Sequence, residues 1–147
     1  MTKLQAIRTF ASTVMNRKVA IASQRMEGTN WSMIISGNTI TLCIPQSFTV
    51  PFDEDDKKFR ADFIRRYNPA RGFSHTTLVI LHELGHWATR FDFSWEDDEE
   101  LRELAYDMDR YLLLPSEQLA TDWAIDWLKD PEHRKLAKQF EKQFFGH

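Results

Sequence analysis

Apolar residues recur three and four apart along much of this chain, the pattern of helices that bury one face. Leu4, Ile7, Ala11 and Val14 make one such stripe, so the first 26 residues read as an N-terminal helix. Glu27-Gly28-Thr29-Asn30 is a turn sequence. Residues 31–35 and 39–44 then change the rhythm to two β-rich runs, joined by Ser36-Gly37-Asn38 as a short hairpin connection. Pro45 and Pro51 bracket a loop, and residues 53–56 form an acidic helix start. Phe59, Phe63, Ile64 and Tyr67 return to helical spacing. Asn68-Pro69-Ala70-Arg71-Gly72 breaks that helix, and Ser74 can cap the next, which runs through Leu78, Val79 and Leu81 to about Arg90.

The acidic run at residues 96–100 is either a solvated loop or favourable negative charge at the start of the following helix, with a functional acidic patch as the sharper alternative. Residues 101–114 are helical in pattern. Pro115 and Ser116 mark a break and a new cap before a helix over 117–128, and Pro131 starts a final amphipathic helix ending at Phe144 and Phe145. The order predicts an α+β fold, mostly helical with a small antiparallel sheet, in one domain over residues 1–147.

Composition narrows the class. Hydrophobic content of 42% and charged content of 28% are ordinary for a globular protein, and a net charge of −3 argues against a chain built to bind phosphate backbones. No stretch approaches the roughly 18 apolar residues of a membrane span. A single cysteine, Cys43, precludes an internal disulfide and fits a reducing, cytoplasmic setting; its apolar run predicts a buried, inert thiol. Residues 1–26 carry Lys3, Arg8, Arg17, Lys18 and Arg25 with no acid, as organellar transit peptides do, but their core-facing stripe favours a helix of the fold.

His82-Glu83-Leu84-Gly85-His86 changes the picture most. Histidines four apart sit one turn apart on one helix face, so both imidazoles can reach one metal ion, and Glu83 lies where a general base would act on water. Composition alone gives roughly 0.01 such matches, so the motif is not an accident of residue usage. Two histidines supply two of the three protein ligands that a catalytic zinc ion takes. The three-histidine extension HExxHxxGxxH is absent, since Thr89 and Asp92 occupy its Gly and His positions.

An acidic residue on a later helix is therefore expected as the third ligand. Glu117 leads, because Ala120 and Thr121 would let its helix approach the motif helix closely, with Thr121 or Asp122 orienting a histidine. Asp122 and Glu103 are the alternatives. His75 shares the stripe but lies two turns from His82, roughly 10.5 Å away, which suits a pocket wall, a cap or a substrate contact better than ligation. His133 and His147 read as surface residues. Among the tryptophans, Trp87, Trp95, Trp123 and Trp127 read as core.

With this motif and an acidic ligand downstream, the chain resembles the zincin metallopeptidases whose third ligand is glutamate. Two groups are similar. The ImmA/IrrE family follows its motif helix with a second helix of the form E-x-x-A-N-x-F-A. The segment from Glu117 to Ala124 matches the Glu, both alanines and, through Trp123, the aromatic, with Thr121 in place of the Asn. ArdC-type antirestriction and phage polyvalent zincin domains often place a tryptophan directly after HExxH, as Trp87 is here, and later carry E-E-L-V-A-E, which Glu117 to Asp122 resembles with Asp122 for the final Glu.

The resemblance spans roughly residues 74–128 and implies a compact intracellular zincin, of a kind often carried by mobile elements or phages, that binds Zn²⁺ through His82, His86 and Glu117, uses Glu83 as general base, and either cleaves a regulatory protein or acts with little demonstrable proteolysis. Tyr106, Tyr111, His75 and Arg90 are candidates for stabilising the oxyanion. The alternative is a non-catalytic, metal-stabilised regulatory or binding module. A further one is single-stranded nucleic-acid binding through Arg60, Arg65, Arg66, Arg71, Tyr67 and Phe73.

Overall fold

The computed structural model describes residues 1–23, 30–35, 37–49 and 51–146. Among them are seven helices and a three-stranded sheet, an α+β arrangement. Helix α1 (Lys3–Met15) starts at a capping box between Thr2 and Gln5 and buries Ala6, Ile7, Phe10 and Ala11. It stops well short of residue 26, because Asn16 takes a left-handed conformation (φ 53°) and ends it. The residues beyond form strand β1 (Val19–Ser23), whose β-branched Val19 and Ile21 fit a sheet better than a helix.

β1 alters the sheet as well. Strand β2 (Ser32–Ile34) pairs antiparallel with β3 (Ile40–Ile44), as the hairpin pattern predicts, with Gly37 at φ 70° in the turn. β1 lies against the other edge of β3 in parallel, matching Val19 to Ile40 through Ser23 to Ile44, so the sheet is mixed rather than antiparallel. Ile40, Leu42 and Ile44 face the core, while Cys43 on the opposite face is half-buried rather than buried. Ser36, Arg25, His147 and residues 27–29 of the predicted turn lie outside the described residues.

Helix α2 (Glu54–Arg66) begins at an Asp53/Asp56 capping box, with Glu54, Asp55 and Asp56 complementing the positive end of its dipole. A 3₁₀ turn (Asn68–Gly72) leads to α3 (His75–Ala88), the central helix. Ser74 caps α3 as predicted, accepting from the Thr77 N–H. Glu141 reinforces that end, its Oε2 accepting from Ser74 N at 2.6 Å and Thr77 Oγ1 at 2.7 Å. Leu78, Ile80, Leu81 and Leu84 of α3 are fully buried, each contributing about 1.5–3 kcal/mol.

The helix expected over residues 101–114 is two. The acidic run lies inside α4 (Trp95–Leu104), and α5 (Met108–Tyr111) starts afresh with Asp107 as its cap. Helix α6 (Pro115–Leu128) has Leu114, not Ser116, at its cap position, and Leu114 offers no side-chain acceptor. Asp98 of α4 supplies one from a distance: Oδ1 accepts from Ser116 N and Oδ2 from Ser116 Oγ, both at 2.9 Å. Helix α7 (Pro131–Phe145) closes the core against α1, with Phe140 stacked on Phe10 at 4.6 Å. Trp87 and Trp127 are buried and Trp123 half-buried, whereas Trp95 is half-exposed because its ring leans on Phe93 and donates to the Arg90 carbonyl.

Helices α3 and α6 pack together closely at one point. A Cβ added to Gly85 would stand 2.4 Å from the Ala120 carbonyl oxygen and 3.1 Å from its carbonyl carbon. Only glycine lets the two backbones meet here. Gly85→Ala should gain about 1 kcal/mol of helix propensity, yet the collision with backbone costs more, on the order of 1–3 kcal/mol beyond that gain. Thermal denaturation should therefore show a midpoint several degrees lower, at roughly 2–4 °C per kcal/mol. An unchanged or raised midpoint would contradict this contact.

Candidate metal centre

The α3–α6 contact decides what faces His82 and His86. Their rings stand 4.6 Å apart, nearly perpendicular, on the α3 face turned to α6. The first turn of α6 presents Glu117 between them. Its Oε1 is 3.1 Å from His82 Nε2 and its Oε2 3.0 Å from His86 Nε2. Donor atoms of all three residues lie within 4.8 Å of one another, and the group can hold a metal ion. The donor set fits one chemically. Two imidazoles and a carboxylate suit a borderline divalent ion, and a carboxylate only 4% exposed calls for positive charge beside it.

The other two candidates for the third ligand lie elsewhere. Asp122 is exposed and paired with Arg66, and Glu103 is exposed on α4. Of the two residues expected to orient a histidine, Thr121 does so, with Oγ1 2.9 Å from His82 Nδ1. In the tautomer that leaves Nε2 bare for a metal, Nδ1–H donates to that hydroxyl. Phe59 fixes the ring from the other side, edge to face at 5.0 Å.

Sequence reasoning missed the partners of Glu117 on α4. Arg102 Nη2 lies 3.5 Å from Glu117 Oε2, 3.4 Å from Asp98 Oδ2 and 3.2 Å from Ser116 Oγ. Asp98 thus ties α4 to the start of α6 and helps to place Arg102 beside the carboxylate. The acidic run at residues 96–100 gave the only signal, and it did not distinguish Asp98 from its neighbours.

Electrostatics divide the four groups. Burial would raise the Glu117 pKa, but hydrogen bonds from both histidines and their charge overcome it, holding the carboxyl well below the usual carboxylate range. Burial pushes His82 down, toward the neutral form that a metal needs. For His86 burial acts the same way, but hydrogen bonding to Glu117 and the charge of Glu83 outweigh it and raise the pKa. Burial pushes the Glu83 carboxyl up to about 8, with the Glu117 charge adding to it and His86 opposing. A divalent ion beside Glu83 acts against that rise by favouring the ionised form.

These groups open onto a cleft of about 450 Å³, walled by Trp31, Phe59, Val79, His75, Glu83 and Tyr111 among others. His75 lines the wall, one of the three roles that its spacing left open. Tyr111 lies in the cleft too, its pKa raised to about 12 by burial first and the Glu117 charge second. Tyr106 is 78% exposed under Arg110, and Arg90 stacks 3.4 Å over the Trp87 ring, so neither shares the cleft. His133 is half-buried rather than on the surface, stacked on Trp127 at 4.4 Å. In the basic-aromatic run, Phe73 is buried with Lys138 Nζ 4.5 Å above its ring, and Tyr67 turns its hydroxyl to the Leu128 carbonyl. No helix among the described residues is long and apolar enough to cross a membrane.

No family model, curated protein or solved structure matches this chain. The geometry alone therefore carries the functional argument.

Thr121→Val keeps the side-chain shape and removes the hydroxyl that orients His82. It should weaken Zn²⁺ binding about 10- to 100-fold, read by competition with a chromogenic chelator, with the fold intact. Glu117→Ala should abolish stoichiometric binding altogether. Unaltered affinity in either variant would detach that residue from the site.

Proposed function

We propose that this protein is a zinc-dependent metallopeptidase of the zincin type, acting on a peptide bond of an intracellular protein. The observation that supports it best is the placement of Glu83. It stands beside the group of two histidines and one glutamate, lining a cleft of about 450 Å³. A metal clip serving stability alone is expected to be closed by four protein ligands and needs no carboxylate at its open side. The single cysteine fits the intracellular setting.

His82, His86 and Glu117 would hold the ion. When bound, it supplies Lewis acidity, polarising the substrate carbonyl and lowering the pKa of water. Glu83 takes the proton from the attacking water and passes it to the leaving amine, one residue serving as base and then acid. Thr121 keeps the His82 ring in place through these steps. Arg102 stays beside Glu117 Oε2, holding that carboxylate in position. Tyr111 remains protonated at neutral pH and can donate to the oxyanion that develops on the carbonyl.

Glu83→Gln should leave Zn²⁺ stoichiometry unchanged and lower peptide cleavage by about 10²- to 10⁴-fold. Substantial hydrolysis by that variant would sink the general-base assignment. Tyr111→Phe should lower kcat about 10²-fold with KM nearly constant, since the interaction forms only as charge develops. A change confined to KM would place Tyr111 in ground-state binding instead.

A further inference from the structure

Glu117 turns both of its oxygens to the histidine pair. Oε1 lies 3.1 Å from His82 Nε2 and Oε2 3.0 Å from His86 Nε2, so the carboxylate can close on an ion with one oxygen or with both. The two modes suit different ions. One oxygen beside two imidazoles gives the low coordination number that Zn²⁺ and Co²⁺ accept. Two oxygens add a ligand and suit ions that prefer more oxygen around them, Mn²⁺ among them.

Oε2 has a second neighbour in Arg102, whose Nη2 lies 3.5 Å away. An arginine there neutralises a buried carboxylate, and one serving that end alone would swing out once a divalent ion took over the task. Arg102 is tied to more than Glu117. Its Nη2 is also 3.4 Å from Asp98 Oδ2 and 3.2 Å from Ser116 Oγ, and neither residue belongs to the metal group. Asp98 is fixed in turn. It is 2% exposed on a helix otherwise open to solvent, and its oxygens accept from Ser116 N and Oγ. The Tyr111 ring lies 5.1 Å from Arg102 Cζ and backs the guanidinium. The ion pair with Asp98 therefore keeps Arg102 beside Oε2 whether or not Glu117 meets another cation.

We infer that Arg102 is a positioning residue that withholds Glu117 Oε2 from the metal, making the glutamate a one-oxygen ligand and the site selective for Zn²⁺ over oxygen-preferring ions such as Mn²⁺. The inference rests on the metal group of the proposed function but not on hydrolysis, so its readouts are all of binding. Removing the arginine also removes a positive charge and loosens Glu117, but these effects act on every divalent ion alike. A ratio of two metal affinities cancels them.

Zn²⁺ affinity is measured by competition with a chromogenic chelator, and Mn²⁺ affinity from the paramagnetic resonance of the free ion. Arg102→Met keeps the stem and should lower the preference for Zn²⁺ over Mn²⁺ about tenfold, the scale on which residues behind the ligands act. The visible absorption of bound Co²⁺, intense at low coordination number, should weaken in the same variant. Arg102→Lys keeps a cationic donor and should restore both readouts toward those of the unsubstituted protein. Asp98→Asn still accepts from Ser116 N but loosens Arg102, and should shift both readouts the same way by a smaller factor. It carries the test if Arg102→Met does not fold. A ratio and a Co²⁺ spectrum unchanged in these variants would overturn the inference and leave the metal group standing. Equal shifts in Arg102→Lys and Arg102→Met would overturn it as well, since the lysine still donates. Failure of the unsubstituted protein to bind stoichiometric Zn²⁺ would overturn the metal group and the inference with it.

Discussion

Where Gly85 passes under Ala120, two helices meet backbone to backbone, and the group of His82, His86 and Glu117 exists because they do. One methyl group at position 85 would press against the Ala120 carbonyl and push α6 away from α3. Glu117 sits one turn before Ala120, so any such movement displaces its carboxylate directly. The two histidines are fixed by their own helix and would not follow. The glycine that weakens α3 as a helix is thus what lets a second helix complete the site.

That contact creates an electrostatic problem which the surrounding residues manage. It places an ionised carboxylate in the interior, where a lone charge would be strongly unfavourable. His82, His86 and Arg102 each approach an oxygen of Glu117, and Asp98 anchors Arg102 from one turn earlier on α4. The same aspartate caps α6, so the start of the helix and the position of its glutamate are held by one side chain. Across the cleft, His75 Nε2 stands 3.6 Å from Asp56 Oδ1 at the head of α2.

Much of the helical frame was legible in the sequence. Ser74, Pro131, and the stripes of α3 and α7 gave their elements correctly, because caps and 3.6-residue periodicity act within a turn or two. The hairpin was equally clear. The failures share a cause. β1 went unseen because Val19 to Ser23 continue an apolar pattern that fits helix or strand, and pairing with β3 decided between them. The remote cap on α6 depends on a contact between α4 and α6, which no local pattern records.

By itself the sequence determined that His82 and His86 share a face, that Glu83 lies beside them, and that His75 is too distant to join them. All three follow from helix geometry, which fixes spacing through backbone bonds only four residues long. It favoured Glu117 as the third ligand and left Asp122 and Glu103 as alternatives. Only the tertiary structure put Glu117 between the two histidines, turned Asp122 out to Arg66, and assembled the cleft from α2, α3, α5 and the β2 hairpin. The reason is physical: which of several acids reaches a histidine more than 30 residues away depends on how closely two helices can pack. That closeness is set by pairs such as Gly85 and Ala120, whose meeting is a property of the folded chain.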